Sequence, residues 1–67
     1  MTRDEWIALF AAELGVDPPD AETVEVLLEL AGTAAHASER TAAPIACYLA
    51  GIAHARPTDA AATAASI

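Results

Sequence analysis

The chain has 67 residues, enough for one small domain, and carries a formal net charge of -7 from ten acidic and three basic residues. Phosphate backbones are bound by clustered Lys and Arg side chains, so this balance argues against nucleic acid and against an anionic membrane surface as partners. A single cysteine allows no intrachain disulfide and completes no zinc-binding spacing. The apolar fraction is 55%, but much of it is alanine, which favours helix and buries little area per residue.

The N-terminal stretch predicts an amphipathic helix. Thr2 and Glu5 have the spacing of a capping box, and Gly15 suits the left-handed position that ends a helix. Large apolar residues between them define one face: Trp6, Leu9, Phe10 and Leu14, with Ile7 at its edge. The acidic start lacks the basic region of a signal peptide, and no apolar run is long enough to span a bilayer, so we expect a cytoplasmic protein.

A second helix is predicted after the proline-containing connection at residues 16–20. Either Asp17 or Asp20 can cap it, and the sequence leaves both open. Gly32 inside the helix suggests close approach by another backbone, because glycine is unfavourable there otherwise. The predicted core face comprises Val24, Leu27, Leu28, Ala31 and Ala35, flanked by Leu30 and Ala34, with Glu22, Glu25 and Glu29 on the solvated side. This helix is predicted to end between residues 37 and 40.

A third helix is predicted to begin after a cap at Ser38 or Thr41, with Pro44 tolerated in its first turn. Its apolar stripe comprises Ile45, Tyr48, Leu49 and Ile52. Pro57 disfavours helical angles at the residue before it, so the helix is expected to stop by Ala55 or Arg56.

The remaining residues, 57–67, are mostly alanine, and Thr58 is available as a helix cap. An isolated helix of this length is marginal in water, so we expect it to be ordered only if it docks on the rest of the chain. The predicted fold is therefore all-α: a small three-helix bundle at residues 1–56 with an alanine-rich tail that forms an optional short C-terminal fourth helix.

The corner between the second and third helices holds two candidate functional residues, His36 and Arg40. Together with free amides at the start of the third helix they could contact an anion such as a phosphate. The alternative, which we favour, is structural: His36 caps the last carbonyls of the second helix, and Arg40 pairs with Glu39, Glu29 or Asp17.

Other reactive side chains have simpler interpretations. Tyr48 on an apolar stripe is expected to be half-buried core with a satisfied hydroxyl, although it could also contact a partner. Cys47 has no basic neighbour that would activate a thiol, and we expect no catalysis from it. His54 is suited to a helix C-terminus, and no set of metal ligands can be assembled around it. We expect no catalytic and no metal-binding residues.

Protein association is the function that the residues favour most. Trp6 and Phe10 are expected to be core, but in so small a bundle one of them can stay exposed and anchor a partner. Small residues on the third helix would let another helix come close: Ala42, Ala46, Ala50, Ala53 and Gly51. A core this thin is commonly supplemented by a partner.

One pattern resembles a known family. It reads Ala-His-x-x-x-Arg-x-Ala-Ala-Pro-x-x-x-Tyr-Leu-x-Gly over residues 35–51, preceded by Trp6 and by Leu-Gly-Val-Asp at residues 14–17. These residues are similar to a short actinobacterial helical domain of uncharacterised function, found alone or fused to molybdenum cofactor guanylyltransferases. Members that stand alone tend to be encoded beside formate dehydrogenases and their maturation factors. The resemblance covers residues 3 to about 55.

The resemblance implies a non-catalytic accessory protein or small subunit. It would dock on a molybdenum-cofactor enzyme of the formate dehydrogenase type, or on its maturation machinery. Molybdopterin guanine dinucleotide would then be associated through the partner and not bound directly. The expected partner-binding residues are His36, Arg40, Pro44, Tyr48 and Trp6. Two alternatives stay open: a self-associating structural domain, which would be a homodimer, and a direct binder of the pterin-guanine dinucleotide through His36 and Arg40.

Overall fold

The computed structural model of the protein describes residues 1–67 and contains helices only, which confirms the predicted all-α class. The four helices are α1 (Arg3–Leu14), α2 (Ala21–Ala37), α3 (Ala42–Ile52) and α4 (Pro57–Ala65). None of the four combines the length and the apolar character needed to cross a membrane. Their bounds follow from local hydrogen bonding at the helix ends.

Both ends of α1 have the predicted caps. The Glu5 amide donates to Thr2 Oγ1 at 3.1 Å, and the Thr2 amide donates to Glu5 Oε1 at 3.3 Å, which completes the capping box. At the other end, Gly15 adopts a φ of 76°. The amides of Gly15 and Val16 then donate to the carbonyls of Ala12 and Ala11, a Schellman motif.

The choice between two caps for α2 is settled in favour of Asp20. Its side chain accepts a hydrogen bond of 2.8 Å from the Thr23 amide, and the helix begins at Ala21. Hydrogen bonds from Thr23 also lower the pKa of the Asp20 carboxyl. Asp17 therefore lies in the connection and caps nothing. The helix ends at Ala37, at the start of the predicted interval.

The caps predicted for α3 and α4 are absent, and α3 ends before the limit that the sequence sets at Ala55 or Arg56. Thr41 precedes α3 with helical angles and makes no capping hydrogen bond, and Ser38 belongs to the end of α2. The last residue of α3 is Ile52, because His54 adopts a left-handed φ of 54° that turns the chain. Helix α4 begins at Pro57, without the expected cap at residue 58.

Helix α2 is the centre of the packing. Both α3 and α4 lie against it, whereas α1 has almost no close backbone contact with any other helix. The bundle is thus formed by α2, α3 and α4, and residues 57–65 are part of it. Helix α1 sits beside the start of α2, where Ile7 and Val24 line a common crevice of about 180 Å³.

Only two side chains are buried, Leu30 at 3% exposure and Ala11 at 6%. Most of the expected core residues are exposed, a correction to the sequence prediction: Trp6, Leu9, Phe10, Leu14, Leu28, Ile45, Tyr48, Leu49 and Ile52. On α2, the buried face is centred on Leu30 and not on Leu28, because α3 and α4 both pack against that side.

The solvent-accessible surface is large for this mass. It measures 5167 Å² for 6.8 kDa, whereas a compact monomer of that mass exposes about 4,000 Å². The chain therefore exposes about 1,200 Å² more than expected and buries about half of its unfolded surface. The radius of gyration, 12.2 Å, also exceeds the value of about 11 Å expected for this length. The isolated chain is an open bundle.

Candidate docking surfaces

Helix α3 presents its large apolar side chains to solvent and its small ones to α2. The partly buried residues of α3 are Ala42, Ala43, Ala46, Cys47 and Ala50. The stripe of Ile45, Tyr48, Leu49 and Ile52 is exposed and lies about 140° away around the helix. The alanine surface, which we expected to receive a partner, is therefore partly covered within the chain, and the stripe is fully available.

An apolar groove runs between α3 and α4, because both helices pack on α2 but hardly contact each other. Leu30 of α2 lies at its base, and two adjoining depressions of about 500 and 400 Å³ make up its length. The two depressions share four lining residues: Ala46, Leu49, Ala64 and Ile67. Ile45 lines the first depression. We call this feature the α3–α4 groove.

A second apolar surface, the α1 patch, consists of Met1, Trp6, Leu9 and Phe10, with Glu13 at its edge. The Trp6 and Phe10 rings are stacked, with centroids 5.0 Å apart and planes inclined by 22°. The small residue Ala11 faces inward. Trp6 was expected to be core or an exposed anchor, and it is exposed.

The corner at residues 36–41 does not have the predicted structural role. His36 and Arg40 are both exposed, and neither side chain makes a hydrogen bond or an ion pair. Arg40 does not pair with Glu39, and His36 caps no carbonyl. The i, i+4 relation between them is also lost, because α2 ends at Ala37. Both side chains are free to contact another molecule.

The start of α3 is less suited to anions than its sequence suggests. The Ala42 amide donates to the Glu39 carbonyl at 2.9 Å, and the Ala43 amide donates to the Arg40 carbonyl at 3.1 Å. Pro44 has no amide proton. The first three residues of α3 therefore offer no free donor, and the pterin-nucleotide alternative loses the amides on which it relied.

Pro44 and Tyr48 share one flank of α3. They are one turn apart, both are exposed, and neither lines the α3–α4 groove. Tyr48 is 67% exposed, so its interpretation as half-buried core is wrong. The structure contains no cluster of three or more His, Cys, Asp or Glu side chains that could hold a metal ion.

Charge divides the chain into two parts. Nine of the ten acidic residues and two of the three arginines lie at positions 1–40, so this part carries the whole net charge of -7. Residues 41–67 contain one arginine and one acidic residue, Arg56 and Asp59, which pair at 3.0 Å. The α3 and α4 walls of the α3–α4 groove thus belong to the neutral part, although Glu39 of the acidic part also lines it, and the α1 patch belongs to the acidic part.

The sequence predicted only part of the groove. Four alanines that were expected to receive a partner line it, whereas Ile45 and Leu49 were assigned to the core. The available signal was the absence of charge from residue 41 to residue 53, together with large apolar residues and alanines on different sides of the same helix. A helix of that kind can bury either side, and an alanine side allows closer approach to a neighbour.

Fold and surfaces together define a small all-α domain that exposes two separate apolar surfaces and has little core of its own. The chain matches, over residues 1–67, the model of the family described as Domain of unknown function (DUF6457). It is a member of that family. No curated protein and no solved structure matches the chain.

Proposed function

We propose that this protein is a non-catalytic accessory protein or small subunit that docks on a molybdenum-cofactor enzyme of the formate dehydrogenase type, or on its maturation machinery. The observation that carries the docking role is the exposure of the large apolar side chains of α1 and α3. An excess exposed area of about 1,200 Å² is enough for at least one standard interface, which takes about 800 Å² from each partner. The choice of partner rests on the resemblance of residues 35–51.

The partner would contact the α3 flank, the corner and the α1 patch. Tyr48 and Trp6 have the properties of interface anchors, since tyrosine, tryptophan and arginine dominate the energetics of docking sites. Arg40 is unpaired in the free chain and is available to a carboxylate of the partner. Molybdopterin guanine dinucleotide would remain with the partner.

The negative charge of residues 1–40 should make the rate of this docking depend on salt concentration. Asp4, Glu5 and Glu13 lie on the same helix as the α1 patch. A partner that covers the patch is expected to bring basic side chains to them, so that association is fastest at low salt.

The test is binding of the full chain to a purified molybdoenzyme of the formate dehydrogenase type, with and without its cofactor, measured by calorimetry. Tyr48→Ala is expected to weaken binding by about tenfold or more. Leu14→Ala is the matched control, because Leu14 is 60% exposed, close to the 67% of Tyr48, but lies outside the proposed surface. Absence of binding to the enzyme and to its maturation factors would refute the proposal, and equal effects of the two variants would refute the assigned surface.

A further inference from the structure

We infer that the α3–α4 groove is the interface with a second copy of this chain, in a two-fold symmetric dimer. This inference goes beyond the proposed function and does not depend on it. The groove shares no lining residue with the α3 flank or the α1 patch, although Ser38, Glu39 and Thr41 of the corner line its first depression. Three observations carry it: the area, the charge and the shape of the groove.

The area agrees with what a stable dimer needs. Each chain exposes about 1,200 Å² more than a compact monomer of its mass, and a standard interface buries about 800 Å² per partner. Pairing through the groove would cover Ile45, Leu49 and Ile67, which are all exposed in the single chain.

The charge favours a second copy over an acidic or basic partner at this position. Two chains of net charge -7 repel each other if their acidic parts meet. Residues 41–67 carry no net charge, because Arg56 and Asp59 are already paired. Pairing of the two grooves therefore brings together surfaces with little charge. Glu39 is the one charged residue of positions 1–40 that lines the groove, so the other acidic residues of this part stay outside the contact.

The shape suits a two-fold axis. An isologous interface uses the same surface on both copies, so this surface must supply both a ridge and a recess. Ile45 and Leu49, on one edge of the exposed α3 stripe, supply the ridge and also line the groove beside it. The groove walls are mainly alanine, which allows α3 of one copy to approach between α3 and α4 of the other. Leu30 at the base would then lose its remaining access to solvent.

Sedimentation equilibrium of the full chain tests the inference. A species of twice the 6.8 kDa chain mass is expected, in a concentration-dependent equilibrium that added salt does not weaken. Leu49→Glu should raise the dimer dissociation constant by about 100-fold or more, because it buries an unpaired charge. The matched control is Leu9→Glu, since Leu9 and Leu49 are both 57% exposed and only Leu49 lines the groove. The control should leave the dimer intact.

A second measurement guards against a variant that simply misfolds. In a Cys47→Ser background, Leu49→Cys should form a disulfide-linked dimer on mild oxidation and Leu9→Cys should not, at unchanged helicity. A chain that stays monomeric up to about 1 mM would overturn the inference. So would a dimer that salt dissociates, or one that Leu9→Glu breaks and Leu49→Glu does not. Loss of enzyme docking with the dimer retained would count only against the proposed function.

Discussion

Gly32 gives the sharpest prediction of stability. It lies inside α2, and a Cβ atom added to it would meet no other atom within 4 Å. The close approach that its position suggested is absent. Gly32→Ala should therefore gain the full difference in helix propensity, about 1 kcal/mol. A chain of 67 residues has an unfolding entropy of about 140 cal/mol/K, so the midpoint should rise by about 7 °C.

The measurement is thermal unfolding by far-UV circular dichroism at one fixed protein concentration, since dimerisation makes the midpoint depend on concentration. Gly15→Ala is the control with the same chemical change. Gly15 also has free space around it, but its φ is 76°, so this variant should lose about 1–2 kcal/mol. A lower midpoint for Gly32→Ala would show that a neighbour closes on α2 at this point and would refute the reasoning.

Three further predictions concern the helix ends. His54→Gly should stabilise the chain by about 1 kcal/mol in chemical unfolding, because it removes the left-handed strain at a φ of 54°, and His54→Ala should not. Thr2→Ala should speed hydrogen exchange of the first α1 amides about fivefold, because it removes their cap. The midpoint of global unfolding should hardly change, because α1 packs so little on the bundle. Thr2→Ser is the control and should exchange like the wild type. The pKa of Asp20 is lowered in the folded state. The ionised carboxylate therefore stabilises the fold above the unfolded pKa, and this stabilisation is lost as pH falls through the folded pKa. Asp20→Asn keeps the cap and should remove this part of the acid sensitivity in unfolding midpoints measured from neutral to acid pH; an unchanged pH profile would contradict the assignment.

The helices themselves were predictable because their signals are local. The capping box at Thr2 and Glu5, the glycine at position 15 and the proline that begins α4 all act within a few residues of the backbone they order. The errors at the ends also have local causes. His54 occupies a left-handed position that sequence signals assign to glycine, so α3 ends before the predicted residue.

The orientation of each helix about its own axis was not predictable in the same way. Periodicity shows that α3 has an apolar stripe at Ile45, Tyr48, Leu49 and Ile52, but it does not show whether that stripe faces the same chain, another chain or solvent. We expected it to form the core and expected the alanines to be free. In the structure the stripe is exposed and the alanines are partly buried, because the alanine side lets α3 approach α2 closely, while Ala42, Ala46 and Ala50 still line the groove.

The candidate sites also divide into those that the local sequence predicts and one that depends on how the helices pack. The sequence identified the exposed corner residues and Trp6 as candidates for binding, and the structure shows those residues to be accessible. The α3–α4 groove could not be found this way, because it exists only where two helices distant in sequence share a neighbour. The sequence by itself determined which segments are helical and where the charge lies, since both depend on local chemistry. Only the tertiary structure decided which side of each helix is left for a partner, because that depends on how closely the helices can approach one another.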